Sequence, residues 1–171
     1  PGSATEVMAF RVIEAAGLDK DKDLRRERLG VAEYTNALKD GKIDAYFWVG
    51  GLPTAAVTDL GATPGVKLKL VDHDEVVEKM NAKYGGIYSE GVIPAKTYPG
   101  QDKDNKISVV QNILVADAKL PEKTVYDIVK TLFEKRDEIA LAHGEAKAIA
   151  LDNQNGKNTT IPWHPGAEKY F

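Results

Sequence analysis

Apolar positions recur at helical spacing near the start of the chain. Val7, Met8, Val12, Ile13 and Ala16 form one stripe, which predicts an amphipathic helix ended by Gly17. Ser3 and Glu6, at the front of that stripe, have the spacing of a capping box. Residues 19–28 are a dense run of mixed charge and read as a solvated connection. A second helix is predicted over 31–40, with Tyr34, Ala37 and Leu38 inward and Gly41 just past its end. The pattern then changes period. Residues 43–49 are unbroken apolar and aromatic after Asp44, the signature of a buried strand. After Gly50-Gly51, a helix restarts at Leu52-Pro53-Thr54 with Pro53 near its first position and Ala55, Ala56, Val57 and Leu60 as its apolar contacts. Pro64-Gly65 turns into residues 66–71, which alternate as a half-exposed strand does, and a helix over 74–84 follows.

From 85 to about 106 the periodicity dissolves, leaving room only for turns or a short strand. Residues 107–116 read as a long strand. Leu120-Pro121-Glu122 opens a helix running to His143, with Val125, Ile128, Val129, Leu132, Phe133 and Ile139 as its stripe. A shorter helix is predicted over 145–151, and the chain closes in a polar loop and an ending, 161–171, to which no element is assigned. Helices and strands alternate, so the expected class is α/β. In such proteins a turn like that at Gly2-Ser3 follows a strand, which leads us to expect a fragment whose preceding strand is missing.

Charge and composition narrow the chemistry. The 171 residues carry a formal net charge of −3, with no basic footprint for nucleic acid. No apolar run approaches the roughly 20 residues needed to cross a bilayer, and the absence of cysteine excludes thiol chemistry and disulfides. His73, His143 and His164 lack metal-ligand spacing, and no nucleophile elbow, phosphate loop or dinucleotide glycine pattern is present. Asp44 and Asp59 are single carboxylates without an evident partner, and Asn158-Thr159-Thr160 matches a glycosylation sequon. Neither catalysis nor a cofactor is expected. The turn Gly2-Ser3-Ala4-Thr5 offers unpaired backbone N–H groups, two hydroxyls and the positive end of a helix dipole, a seat for a carboxylate or phosphate; the plainer alternative is a simple cap. Gly50-Gly51 suits a hinge, or equally an ordinary strand-to-helix turn. Of Tyr46, Phe47 and Trp48, alternation sends two to the core. Trp48 and Tyr98 are the candidate cleft aromatics, the alternative for Tyr98 being a ring packed over Pro94 or Pro99.

Five collinear stretches carry a family resemblance: residues 1–6, 37–47, 50–60, 93–101 and 164–167. Through them the chain resembles the TAXI family, the extracytoplasmic solute-binding proteins of one class of TRAP transporters. It departs from the family at Ala4, where glycine is usual, and at Trp48, where small residues are usual. The resemblance implies a type II periplasmic-binding-protein fold, present here as one lobe plus elements returning to the other. Residues 1–49 would be lobe-two material, 50–106 a hinge crossing with a lobe-one-type helix-strand-helix and long loop, and 107–171 a crossing strand with C-terminal helices. The implied function is capture of a small carboxylate or amino-acid solute such as glutamate or glutamine by hinge closure, and its delivery to membrane permease subunits. The implied compartment is the periplasm, and the implied missing piece is most of the N-terminal lobe. The ligand-binding residues expected are Gly2, Ser3, Ala4, Thr5, Glu6, Trp48, Gly50, Pro53 and Tyr98. A ligand-sensing receptor domain of the same bilobed fold is the alternative, and a small-molecule enzyme a more distant one.

Overall fold

The computed structural model describes residues 3–154 and 160–171, and the chain divides into two compact units, Pro1–Val109 and Val110–Phe171. The first unit contains α1 (Ala4–Ala15), α2 (Val31–Lys39), α3 (Ala55–Ala62), a 3-10 turn (Asp74–Val76) running into α4 (Val77–Tyr84), and the strands β1 (Tyr88–Ile93) and, but for its last residue, β2 (Asn105–Val110), which pair as a two-stranded sheet. Helix α1 packs on α4, α4 on β1, and α2 on α3. The core of α1 is Met8, Ala9, Val12 and Ile13; Val7 is 43% exposed and Ala16 lies past the helix, so the buried stripe is rotated by about one position from the expected one. Leu60 of α3 and Met80 of α4 have no exposed surface. Removing such a side chain from water contributes about 1.5–3 kcal/mol, which makes these two residues the anchors of their helices.

Glycines end the helices where the pattern places them. Gly17, Gly41 and Gly85 follow α1, α2 and α4 with φ of +84°, +67° and +84°, a region that a Cβ disfavours. At α3 the cap is Thr54, so Pro53 stands one residue ahead of the cap rather than inside the first turn.

The predicted strands are the main corrections. Residues 43–49 form no strand, and Phe47, Trp48 and Val49 are at least a third exposed. Residues 66–71 form none either, although their burial alternates as foreseen: Val66, Leu68 and Leu70 are half-buried, Lys67, Lys69 and Val71 exposed. The strand foreseen over 107–116 starts earlier, at Asn105, and ends at Val110, beyond which Ile113, Leu114 and Val115 are exposed. A strand exists only through the backbone groups of a neighbour, and among the described residues only β1 and β2 supply such partners.

In the second unit, α5 (Glu122–Glu134) and α6 (Arg136–Ala142) replace the single predicted helix, with the break at Lys135. Two 3-10 turns, Gly144–Ala148 and Leu151–Asn153, stand where a short α-helix was expected. The unforeseen α7 (Pro165–Tyr170) lies on α5. Val125, Val129 and Ala167 form its buried centre, with Phe133 and Tyr170 against them. Ile128 is 42% exposed, which takes it out of the predicted stripe.

Candidate functional site

Helix α1 begins as a cap should. Ser3 is extended, and its hydroxyl accepts from the Glu6 N–H at 3.4 Å. Ser3 and Ala4 are exposed, and Thr5 and Glu6 half-buried. Arg28 Nε lies 3.4 Å from Glu6 Oε1, so a carboxylate that would repel an anion at this helix end is offset by a guanidinium. Gly2 lies outside the described residues.

Trp48, Gly50, Pro53 and Tyr98 gather around a second centre, Thr54. The Thr54 hydroxyl donates to the Gly51 carbonyl at 2.9 Å and accepts from Trp48 Nε1 at 2.9 Å; its backbone N–H donates to the Tyr98 hydroxyl at 3.1 Å. Tyr98 is 4% exposed, so its ring is packed and its phenol completes the start of α3. Gly50 has a specific steric reason: a Cβ there would lie 2.6 Å from Trp48 Nε1. Its φ is not positive, so the close approach of the exposed indole, rather than an unusual backbone, is what favours glycine here. No hydrogen bond, ion pair or ring contact among the described residues joins Ser3, Ala4 or Thr5 to this centre.

Tyr98 also lines an open depression of about 430 Å³, together with Thr58, Lys96, Thr97, Gln101 and Asp102. The loop carrying it is held rigidly. Lys96 N–H donates to the Gln101 carbonyl at 2.8 Å, the Thr97 hydroxyl to the Pro94 carbonyl at 2.7 Å, and Gln101 Nε2 to the Ile93 and Lys103 carbonyls at 3.1 Å. Lys96 has φ +66°, the one non-glycine residue described in the left-handed region. Such a conformation costs on the order of 1 kcal/mol and persists where surroundings impose it. Its side chain is exposed and has no ion-pair partner among the described residues. Lys96 was not foreseen as a site residue. Composition could not mark it, because nothing local distinguishes this lysine from the other exposed ones.

A smaller depression of about 220 Å³ lies between α1 and α4. Its charges are already engaged. Arg11 sits 4.1 Å from the centre of the Tyr84 ring and donates to the Tyr88 hydroxyl at 2.5 Å. Glu14 accepts from Lys83 at 2.5 Å and from Tyr84, and these bonds hold its carboxyl below the usual range. Lys79 donates to the Ala15 carbonyl at the end of α1. This arrangement is a brace between two helices. Among the described residues no group of three or more His, Asp or Glu is placed to hold a metal ion. The family model of the NMT1-like family matches residues 1–171.

Proposed function

Because the chain belongs to the NMT1-like family, a periplasmic-binding-type family related to solute-binding proteins, we propose that it captures a small carboxylate solute and delivers it to membrane permease subunits of a TRAP-type transporter. A solute-binding role and a small-molecule ligand follow from the family in broad terms. The TAXI subfamily, the carboxylate, hinge closure, the permease, the periplasmic setting and the absence of catalysis belong to this proposal. The observation that carries the choice of a carboxylate is Lys96, a cation with no ion-pair partner among the described residues, over a polar depression walled by Thr58, Thr97, Tyr98 and Gln101, with Asp102 as its one acidic lining residue. An ammonium suits an acid group better than a neutral or cationic one, and the Tyr98 hydroxyl can add a donor, whereas those of Thr58 and Thr97 already donate to the Thr54 and Pro94 carbonyls. The capped end of α1 is a second seat of the same sign.

Calorimetry with a panel of amino acids and dicarboxylates tests the reading, with Lys96→Gln and the double substitution Ser3→Ala, Thr5→Ala run beside the parent. The expected result is saturable binding of an acid, weakened at least several-fold by one of the two changes while melting is little altered. The Ser3 bond is long and exposed, so its loss costs the lower end of the 0.5–2 kcal/mol typical of a cap. Turnover of a substrate with no binding of any acid would overturn the proposal. Unchanged affinity in both variants would move the site away from both places.

A further inference from the structure

Between α3 and the 3-10 turn the chain has no strand of its own, yet its last two residues, Asp72 and His73, meet β2 like one. The His73 N–H donates to the Lys106 carbonyl at 3.0 Å. Asp72 Oδ1 accepts from the Lys106 N–H at 2.9 Å and from Asn105 Nδ2. His73 Nδ1 accepts from the Ser108 N–H at 3.1 Å and lies 2.9 Å from Ser108 Oγ. Alternate residues of a strand point their backbone groups to one side, so the N–H groups of Lys106 and Ser108 share one edge of β2. A carboxylate and an imidazole stand there as side-chain acceptors where a third strand would have offered carbonyls. Asn105 and Ser108 are about 5% and 4% exposed, so their pairing is not exchanged readily for water.

A backbone N–H can only donate. His73 Nδ1 is therefore bare, and the ring proton of the neutral imidazole sits on Nε2. An imidazolium would carry a second N–H at Nδ1; Ser108 Oγ, 2.9 Å away, can turn to accept it, but the Ser108 N–H that Nδ1 had held is left without an acceptor. We propose that His73 is an acid-released latch on the free edge of β2: a proton at Nδ1 breaks the bond from Ser108, frees that N–H and loosens the segment that covers the edge. Asp72 from the same segment and Asp74 from the 3-10 turn favour the charged ring, and Lys106 of β2 acts on Asp72. Burial opposes the charge and outweighs the carboxylates, which holds the imidazole below its ordinary 6.5. The sign follows. The latch is fully closed above the ordinary value, and its contribution is lost as pH falls from there through the depressed value of the folded protein. The Ser108 N–H freed in this way is an unpaired donor at a sheet edge, the kind of group a foreign strand adds to, while the Lys106 N–H stays with Asp72.

Nuclear magnetic resonance on the native protein tests this without any substitution. At about pH 7.5 the ring of His73 should be the Nε2–H tautomer. Exchange of the Ser108 amide, corrected for its intrinsic pH dependence, should accelerate by up to about tenfold per pH unit below about 6.5. It should level off once the folded ring is protonated. His73→Asn keeps an acceptor that cannot titrate, and should flatten the profile. An Nδ1–H tautomer at neutral pH, Ser108 protection that does not change with acid, or the same acceleration in His73→Asn would each overturn the latch.

Discussion

Gly166→Ala sets two rules against each other, and the structure decides between them. Alanine is favoured over glycine within a helix by up to about 1 kcal/mol, so propensity alone makes the change stabilising. At this position, however, α7 lies on α5 through the bare Cα. A Cβ on Gly166 would stand 2.3 Å from the Glu122 carbonyl oxygen, 2.8 Å from the Tyr126 nitrogen and 3.0 Å from Val125 Cβ. The first two are backbone atoms of a helix and cannot rotate away. Ordinary contact begins near 3.5 Å, so the two helices must separate by roughly 1 Å. That displacement opens the packing of Ala167 on Val125 and Val129 and disturbs the Tyr126–Tyr170 edge contact, whose ring centres are 5.7 Å apart. Overpacking of this kind costs about 1–3 kcal/mol, more than propensity returns. Denaturant unfolding followed by Trp163 emission, with Trp48 replaced by phenylalanine, reads the second unit directly, because Trp163 stacks edge-on against Phe171 at the end of α7. The expected result is a lower midpoint at constant slope. A neutral or raised midpoint would refute the claim that glycine is needed here for close approach.

Leu60→Ala should destabilise the first unit by about 2–5 kcal/mol, since the side chain has no exposed surface and its removal leaves a cavity; circular dichroism during denaturation checks it. Tyr98→Phe keeps the ring but leaves the Thr54 N–H without its acceptor, a loss of about 1–3 kcal/mol. Trp48 emission should report that change directly, because the indole is bonded to the same threonine.

Short-range chemistry was legible in the residues, and pairing at long range was not. Ser3 as the cap of α1 and the glycines closing α1, α2 and α4 could be read because a cap or a left-handed turn depends on a few neighbouring residues. Residues 43–49 and 111–116 have every local property of strands and form none, because a ladder depends on a partner that local sequence cannot name. Between these cases lie residues 66–71, where the alternation of burial was correct and the hydrogen bonding was not. Helix α7 was missed although its signal was present: His164 caps it through Nδ1, which accepts from the Gly166 N–H, and Pro165 takes the first position. Of the anticipated site residues, Trp48, Gly50, Pro53 and Tyr98 do gather in one place, but around Thr54, which the sequence marks only as part of a helix start. Asp72, His73, Asn105 and Ser108 stood more than 30 positions apart in pairs and offered no spacing to read.

The indole of Trp48 over Gly50 makes the two positions a single unit of inheritance. With tryptophan at 48, a side chain at 50 meets the ring, so alanine there pushes the exposed indole aside and breaks its bond to Thr54, a loss of about 1 kcal/mol. With a small residue at 48 the obstruction vanishes and position 50 becomes free to vary, at the loss of the bond to Thr54. A double-mutant cycle on these two residues should therefore be strongly non-additive. The order in which the substitutions arise then matters: a chain that carries Trp48 gives up the indole's bond to Thr54 when glycine at 50 is lost, and one with a small residue at 48 has no such bond to lose.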